Sequence, residues 1–368
     1  MNFQKKEYTR RAKAVRVGCK ERGVDGLIVT GLENVRYLTG FSGHDSWALV
    51  LPRSVVLITD SRYTEQAQGE CVNCRIVERK GGLAKEAEKI VSKLKGIFTL
   101  GVEDTCSVAL LKGVRKVLSA KVKPVSRIVE DVRIVKSEGE VKLIRKASRI
   151  AFDAMDWALK KLKVGMTERQ LAALYEYKLS DFGAKIGFET IVAFGPNGSR
   201  NHHQPSGRKL KKIDTILLDF GANYQGYTSD ITRCFGVGKV TPFFRKVYET
   251  VAKSKLQAMA TIKADVKACV VDAAARRVIA QTDFPVFGHG TGHGIGLEVH
   301  ESPVLSEMNK KTMLKPGHVV TVEPGIYLPG KLGIRLEDDI LVTEQGAKVL
   351  SRDKRFDIGL DVPVLLSI

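Results

Sequence analysis

A repeated segment is the feature that most constrains the fold of this chain of 368 residues. Residues 210–221 (LKKIDTILLDFG) and 314–325 (LKPGHVVTVEPG) both carry a Leu-Lys pair, an apolar stretch typical of a buried strand, an acid and then a glycine. A turn and a second strand with a further acid follow each copy, so the acids are Asp219, Asp230, Glu323 and Glu337. The repeat predicts two related β-hairpins that present four carboxylates to a shared interior.

These carboxylates need compensating positive charge, because an isolated ionised acid is costly in an apolar setting. The neighbours of Asp219 are Ile216, Leu217 and Leu218, and Glu323 follows the run VVTV. A polar cap at the end of a strand would explain either acid alone, but it does not explain four acids on paired hairpins. A divalent metal supplies the required charge better than scattered Lys or Arg side chains.

Histidines cluster near the acids, mainly in the glycine-rich segment 287–300 (FGHGTGHGIGLEVH). This segment holds His289, His293 and His300, and the pair His202–His203 lies upstream of Asp219. The frequent glycines argue against a helix, which excludes a helical zinc-protease motif, and they remove bulk around the imidazole rings. The alternative interpretation is a flexible glycine loop with incidental histidines.

The order of predicted elements indicates an α/β protein of two domains. Residues 1–130 alternate between helices and short buried strands, and 47–51 with 55–59 are expected to form a hairpin. Residues 131–368 begin with a long amphipathic helix and change beyond residue 183 to strands, glycine-rich turns and histidines.

Two capping boxes mark the first helices of the second domain. Ser137 is followed three residues later by Glu140, and Thr167 is followed in the same way by Gln170. Further helices are expected over 242–263 and 266–280.

Composition excludes several classes of protein. The chain carries 60 Lys+Arg against 41 Asp+Glu, a formal charge of +19, but it lacks a long basic tract and any nucleic-acid-binding motif, so nucleic acid is not the expected partner. No apolar run reaches the ~18 residues of a membrane span, and no signal peptide precedes the first helix, which predicts a cytoplasmic protein without membrane contact. The lone pair Cys71 and Cys74 is interpreted as two incidental thiols.

Several motifs in this order resemble one known family. The sequence is similar to the pita-bread metallopeptidases, and within them to the branch of Xaa-Pro aminopeptidase (aminopeptidase P) and prolidase. The resemblance implies a non-catalytic N-terminal domain of the creatinase/prolidase type over 1–130 and a catalytic pita-bread domain with pseudo-twofold halves over 131–368. The motifs that carry it are NVRYLTGF (34–41), TDSRY (59–63), LDFGA (218–222), GYTSDITR (226–233), TVEPGIY (321–327) and GIRLEDD (333–339).

The resemblance also implies a metal site. Asp219, Asp230, His293, Glu323 and Glu337 would hold two divalent ions, with Asp230 and Glu337 bridging them. A set of four carboxylates and one imidazole favours manganese, with zinc or cobalt as alternatives. Two such ions share a water molecule and generate hydroxide at neutral pH.

The implied reaction is hydrolysis of the peptide bond before proline. Glu323 would act as general base, and His202, His289 and His300 would line the substrate site and assist catalysis. Arg335 would orient the carboxylates that bind the metal, without binding the metal itself.

The size of the substrate depends on a departure from the family pattern. Some prolidases carry an arginine, after the position equivalent to His300, that holds the free carboxylate of a dipeptide. This chain has Val304 there, which favours an Xaa-Pro aminopeptidase acting on longer peptides over a prolidase, unless Arg200 substitutes. Three tyrosines near the site are expected to pack within hairpins rather than to bind substrate: Tyr224, Tyr227 and Tyr327.

Three competing interpretations fit less well. A methionine aminopeptidase would share the ligands but usually lacks this N-terminal domain, and relatives that hydrolyse creatine do not keep the metal carboxylates. A pita-bread binding module for nucleic acid or acidic partners would typically have lost ligands. The family resemblance further implies a homodimer in which the N-terminal domain helps to shape the partner's site.

Overall fold

The computed structural model describes residues 2–357, 359 and 363–365, with side chains described from residue 5 to residue 357 and at 359 and 363. The chain divides into two compact units, Met1–Arg133 and Ile134–Ile368. The helices of the described ranges include none with both the length and the apolar character required to cross a membrane.

The N-terminal unit alternates helices and strands, as the sequence predicts. Its elements are α1 (Asn2–Glu21), β1 (Gly26–Val29), α2 (Leu32–Thr39), β2 (Trp47–Val50), β3 (Val55–Thr59), α3 (Thr64–Glu70), β4 (Arg75–Glu78), α4 (Leu83–Val91), β5 (Thr99–Glu103), α5 (Val108–Val117), β6 (Lys121–Val125) and α6 (Glu130–Arg133). The strands form one sheet in the order β4-β3-β2-β1-β5-β6. The expected hairpin is confirmed, because β2 and β3 pair antiparallel with Trp47 opposite Ile58.

The C-terminal unit contains the remaining described elements. They are α7 (Glu138–Leu159), α8 (Glu168–Asp181), β7 (Lys185–Ile186), β8 (Ile191–Phe194), β9 (Thr215–Phe220), β10 (Ala222–Tyr224), β11 (Tyr227–Thr228), β12 (Ile231–Val237), α9 (Pro242–Thr261), α10 (Ala268–Ala280), β13 (Gly292–Gly294), β14 (Glu301–Leu305), β15 (Val319–Val322), β16 (Gly325–Leu328), β17 (Leu332–Arg335), β18 (Asp338–Val342), β19 (Ala347–Val349) and β20 (Val364–Leu365). Its larger sheets have the orders β20-β12-β9-β8 and β14-β13-β15-β18-β19.

The sequence repeat corresponds to a repeated strand pair, but each copy is more elaborate than the simple hairpin expected. In the first copy β9 pairs antiparallel with β12, and the short hairpin β10–β11 lies between them in the chain. In the second copy β15 pairs with β18, and β16–β17 occupies the equivalent place. Asp230 and Glu337 therefore each lie at the junction between the inner hairpin and the returning outer strand.

Alternation along the strands decides which way the acids face. In β9, Ile216, Leu218 and Phe220 pack into the core under α7 and α8, while Leu217 belongs to the core of the other half. Successive side chains of a strand point to opposite faces, so Asp219 shares the face of Leu217 and is turned towards the second half.

The helices cover the outer faces of these sheets. Both capping boxes are confirmed: Ser137 with Glu140 begins α7, and Thr167 with Gln170 begins α8. Helices α9 and α10 pack on the second half. Burying one large apolar side chain contributes roughly 1.5–3 kcal/mol, so these two cores fix the strands that carry the acids.

Candidate metal centre

Backbone pairing brings the predicted metal ligands together. Asp219 in β9 lies opposite Thr232 in β12, and the backbone N–H of Glu337 donates to the carbonyl of Thr232 at 3.1 Å, which joins the two halves. The backbone N–H of Glu323 donates to the carbonyl of Thr291 at 2.8 Å, close to His293 in β13.

Side-chain distances define the cluster. Asp230, His293 and Glu337 each offer a ligand atom within 4.8 Å of the other two. His293 Nε2 lies 3.5 Å from Asp230 Oδ2 and 3.4 Å from Glu323 Oε1. The hydroxyl of Thr232 donates to Glu337 Oε2 at 2.6 Å and fixes that carboxylate.

Two carboxylate oxygens of the predicted ligands have no hydrogen-bond partner within the described part of the chain. Asp219 Oδ1 and Glu337 Oε1 are both buried, and neither accepts a hydrogen bond from any described residue. Buried acceptors are normally satisfied, because leaving one unpaired costs about 1–3 kcal/mol. Their position between further carboxylates fits a cation with oxygen ligands.

The raised pKa values of the buried carboxyl groups also indicate that the site needs a compensating positive charge. Burial raises the pKa of Asp230 and of Glu337 well above the usual range of a carboxyl, and neighbouring carboxylates raise both further. Burial raises the pKa of Glu323 to about 8, with Arg335 opposing the shift and Asp219 reinforcing it. Each shift reflects the free-energy cost of charging one acid beside the others, a cost that a bound divalent cation offsets.

His293 has the tautomer and charge that a metal ligand requires. Its Nδ1 lies 3.0 Å from the carbonyl oxygen of Gly294, so Nδ1 carries the proton and Nε2 presents a lone pair to Asp230 and Glu323. Burial lowers the pKa of His293 to about 4, which keeps the imidazole neutral at pH 7.

The other predicted histidines differ in their surroundings. His289 Nδ1 donates to the carbonyl of Gly290 at 2.7 Å, and burial lowers the pKa of this histidine to about 4. His300 is exposed, and its ring centroid lies 4.4 Å from that of His293. His202 is also exposed, whereas His203 is buried and its Nε2 lies 2.8 Å from Glu168 Oε2.

Arg335 connects several parts of the site. Its guanidinium donates to Asp219 Oδ2 at 2.6 Å, to the hydroxyl of Thr232 at 3.1 Å and to the hydroxyl of Tyr327 at 2.9 Å. Thr232 in turn donates to Glu337, so one buried cation orients two of the five carboxyl and imidazole groups.

Tyr327 departs from its expected role in hairpin packing. Its hydroxyl accepts from Arg335 and lies 3.0 Å from His289 Nε2, to which it donates. Tyr227 instead donates to Glu140 at 2.8 Å in a buried contact, as expected for packing, and Tyr224 is only partly buried. The signal that sets Tyr327 apart is its position two residues after Gly325, on the inner hairpin next to Glu323.

Sequence reasoning missed a network on α10 that anchors the glycine-rich segment. Asp272 is fully buried and accepts from the backbone N–H and the hydroxyl of Thr291 and from Arg276. Arg276 also donates to the carbonyl oxygens of Phe287 and His289. Five charge-assisted bonds thus fix the segment that carries His289 and leads into His293.

The two residues that bear on substrate size lie on the surface. Val304 in β14 is 46% exposed, and Arg200 is exposed at the residue after a short 3₁₀ helix, Gly195–Ser199. The carbonyl of the next residue, Asn201, accepts from Arg335 at 3.3 Å, so the backbone beside Arg200 reaches the site.

Comparison with known proteins identifies the family of this chain. Residues 142–344 match the metallopeptidase family M24, and residues 11–135 match the creatinase/prolidase N-terminal domain. The chain belongs to metallopeptidase family M24. The predicted resemblance and the two-domain α/β fold of the pita-bread type are therefore confirmed, as is the prediction of an enzyme that hydrolyses peptide bonds.

Among relatives of this M24 peptidase, an Xaa-Pro dipeptidase of Pyrococcus furiosus is 37% identical over 340 residues, 91% of this chain and 95% of that protein. An Xaa-Pro dipeptidase structure from Bacillus anthracis superposes with a TM-score of 0.91 at 35% identity, covering 97% of this chain and all of that one. An X-Pro aminopeptidase structure from Thermotoga maritima gives 0.86 at 36% identity, covering 94% and 99%. Family M24 is a family of dinuclear divalent-metal enzymes, and the donor cluster described above fits that chemistry.

Proposed function

We propose that this M24 peptidase hydrolyses the peptide bond between an N-terminal residue and a following proline, using two divalent ions. The observation that carries the proposal is the pair of buried, unpartnered oxygens on Asp219 and Glu337. Glu337 lies in a cluster with Asp230 and His293, and Asp219 interacts electrostatically with both Asp230 and Glu337. Together these groups have the oxygen-rich composition that such ions prefer. The printed names of the relatives, Xaa-Pro dipeptidase and X-Pro aminopeptidase, support proline in the second position of the substrate.

The proposed ligands are Asp219, Asp230, His293, Glu323 and Glu337. Bound there, the two ions would polarise the scissile carbonyl and activate water at neutral pH. Manganese suits the excess of carboxylate oxygens over nitrogen, with zinc and cobalt as alternatives.

Protein groups account for the proton transfers in the proposed reaction. The attacking water loses a proton to a carboxylate oxygen of Glu323 while its oxygen bonds to the carbonyl carbon. The C–N bond to proline then breaks, and the proline nitrogen takes up that proton. Glu323 Oε1 lies 3.4 Å from Nε2 of the proposed ligand His293, which places this carboxylate beside the water that the ions would activate.

In this proposal the histidines bind and orient the substrate. His289 is neutral, and the donor hydroxyl of Tyr327 holds its Nε2, so the ring is oriented before substrate binds. His300 and His202 are exposed, and they are proposed to contact the peptide and its carbonyl oxygen. Arg335 positions Asp219 and, through Thr232, Glu337.

Two substrate classes remain candidates, and each is favoured by one observation. Val304 provides no positive charge for the free carboxylate of a dipeptide, which favours aminopeptidase action on longer peptides. The names of the Pyrococcus furiosus and Bacillus anthracis relatives favour the dipeptidase. We propose the aminopeptidase as the main activity.

The test compares kcat/KM for an Xaa-Pro dipeptide, an Xaa-Pro tripeptide and the corresponding Xaa-Ala tripeptide, with manganese added. We expect the Xaa-Pro tripeptide to be hydrolysed fastest and the Xaa-Ala peptide to be resistant. Faster cleavage of the dipeptide would favour the prolidase. Absence of cleavage of both Xaa-Pro substrates, in protein that also binds no divalent metal, would refute the proposed function.

A further inference from the structure

A cavity of about 1150 Å³ lies in the catalytic domain between α7, α9 and residues 347–357. None of the five proposed metal ligands lines it. Its volume is slightly above the 300–1,000 Å³ typical of pockets for small molecules. The M24 activity gives it no role.

The lining of this cavity is strongly basic. Among the described residues, eight Arg or Lys and four Asp side chains line it, a formal excess of four positive charges. Arg355 is paired with Asp353 and Asp153, and Arg233 and Lys255 share Asp338. Five cations have no hydrogen-bond or ion-pair partner among the residues whose side chains are described: Arg145, Arg149, Lys348, Arg352 and Lys354.

The floor of the cavity contains a buried cation with spare donors. Lys255 is 3% exposed, and its ammonium donates to Asp338 Oδ2, while Asp338 Oδ1 accepts from Arg233 at 2.7 Å. This is the single hydrogen bond of the Lys255 ammonium within the described chain, although a lysine has three N–H donors. Two cations therefore share one carboxylate, and two of the three N–H donors of Lys255, which lines the cavity, have no acceptor among the described residues.

Two exposed arginines of α7, which we call the rim, line the same cavity as Lys255. Arg145 and Arg149 are four residues apart on α7, so they lie on one face of the helix about 5–6 Å apart at their Cβ atoms. Both are exposed, and both line the cavity. Guanidinium groups bind phosphate in a bidentate manner, whereas a lysine ammonium acts as a compact point charge.

We propose that this cavity binds a compact anion with two phosphate groups, of the chemical class of sugar bisphosphates. One phosphate would be bound by Lys255 at the floor and the other by Arg145 and Arg149 at the rim. A bisphosphate matches the excess positive charge of the lining, and the volume accommodates its carbon skeleton. Such a ligand would bind outside the metal centre and next to Asp338, which directly follows Glu337 in the chain.

The test uses isothermal titration calorimetry with fructose 1,6-bisphosphate as the probe and the manganese-loaded full chain. The key variant is the double substitution Arg145→Ala/Arg149→Ala, which changes two exposed side chains and is expected to fold normally. The matched control is Lys142→Ala/Lys146→Ala, which removes the same charge from two exposed residues of the same helix that do not line the cavity. A second variant, Lys255→Met, removes the charge at the floor, and circular dichroism checks its fold.

We expect the arginine double variant to bind the probe at least about tenfold more weakly than wild type, because its charge-assisted contacts to one phosphate are lost. The lysine control is expected to stay within about twofold of wild type. Absence of binding to wild type would overturn the proposal. Equal weakening in both double variants would indicate a non-specific basic surface, and unchanged binding in the arginine variant would indicate phosphate at the metal centre; either result overturns it. Tighter binding of a single-stranded oligonucleotide than of the bisphosphate would also overturn it, in favour of a nucleic-acid surface.

Discussion

In the metal-free protein, the free energy of unfolding should fall as the pH rises above neutral, and Glu323 should contribute a measurable part of this fall. In the folded, metal-free chain its pKa is about 8, against an ordinary value of 4.5. The folded state therefore binds more protons than the unfolded state between these values, and the free energy of unfolding falls as the pH rises. His289, His293 and His318, whose pKa values burial lowers to about 4, act in the opposite direction, mainly below about pH 7.5, where the unfolded histidines still bind protons.

The interval from about pH 6.5 to about pH 8 is where Glu323 acts most strongly, and comparison with the metal-loaded protein removes the contribution of the histidines, which are neutral in both folded forms. Within this interval Glu323 alone removes on the order of 1–2 kcal/mol of stability, because a group that is protonated only in the folded state costs about 1.4 kcal/mol per pH unit. Asp230 and Glu337 act in the same direction. Bound divalent ions favour the ionised carboxylates and oppose this loss. Asp339, which accepts from the backbone N–H of Asp230 and has a pKa raised to about 8, acts in the same direction as Glu323 in the metal-free chain.

Urea unfolding of chelator-treated and manganese-loaded protein at the two pH values measures the difference. We expect the metal-free protein to lose on the order of 1–2 kcal/mol more of its free energy of unfolding than the loaded protein on going to the higher pH. The control is Glu323→Gln, whose metal-free form should lose less than metal-free wild type over the same interval, by a similar amount. An equal change in the free energy of unfolding with pH, with and without metal, would refute the argument that these buried carboxylates repel one another and that a cation offsets the repulsion.

Three further predictions concern the surroundings of the site. Arg276→Met should lower kcat/KM by about tenfold or more at unchanged metal content, because the backbone of His289 loses the hydrogen bond that holds it. The control is Arg277→Met, at an exposed neighbouring position on α10, which should leave kcat/KM near the wild-type value. Equal activity in the two variants would contradict this prediction. Tyr327→Phe should cost about 1 kcal/mol in urea unfolding and lower kcat, since the link between Arg335 and His289 is lost, and an unchanged kcat would contradict the role of the hydroxyl. Val304→Arg should raise the ratio of dipeptide to tripeptide cleavage severalfold, and a constant ratio would show that this position does not read the substrate carboxylate.

Local signals in the sequence were sufficient for much of the fold. The capping boxes at Ser137 and Thr167 predicted two helix starts correctly, because the side chains that satisfy the first N–H groups lie within three residues. Helix α2 was missed for the complementary reason: it spans only Leu32–Thr39, and its N-cap, Gly31, makes no side-chain cap. Its end is defined by Gly40 at φ 86°, a conformation that glycine adopts without strain.

The parts of the candidate site that could be predicted are those whose role follows from residue type and neighbouring residues. Asp219 and Glu323 stand out because an acid next to a buried apolar run needs an explanation. The contacts of Tyr327 and Asp272 were not predictable, because they depend on the inner hairpin β16–β17 and on the packing of α10 against residues far away in the chain. Periodicity and motif spacing carry no information on such pairings.

The most direct test of the account is the metal stoichiometry of the purified protein, measured by manganese titration together with hydrolysis of an Xaa-Pro tripeptide. The account predicts two ions per chain in wild type, activity that rises with occupancy, and loss of at least one ion together with activity in Glu337→Gln. Full activity without bound divalent metal, or two ions and unchanged hydrolysis in Glu337→Gln, would contradict it.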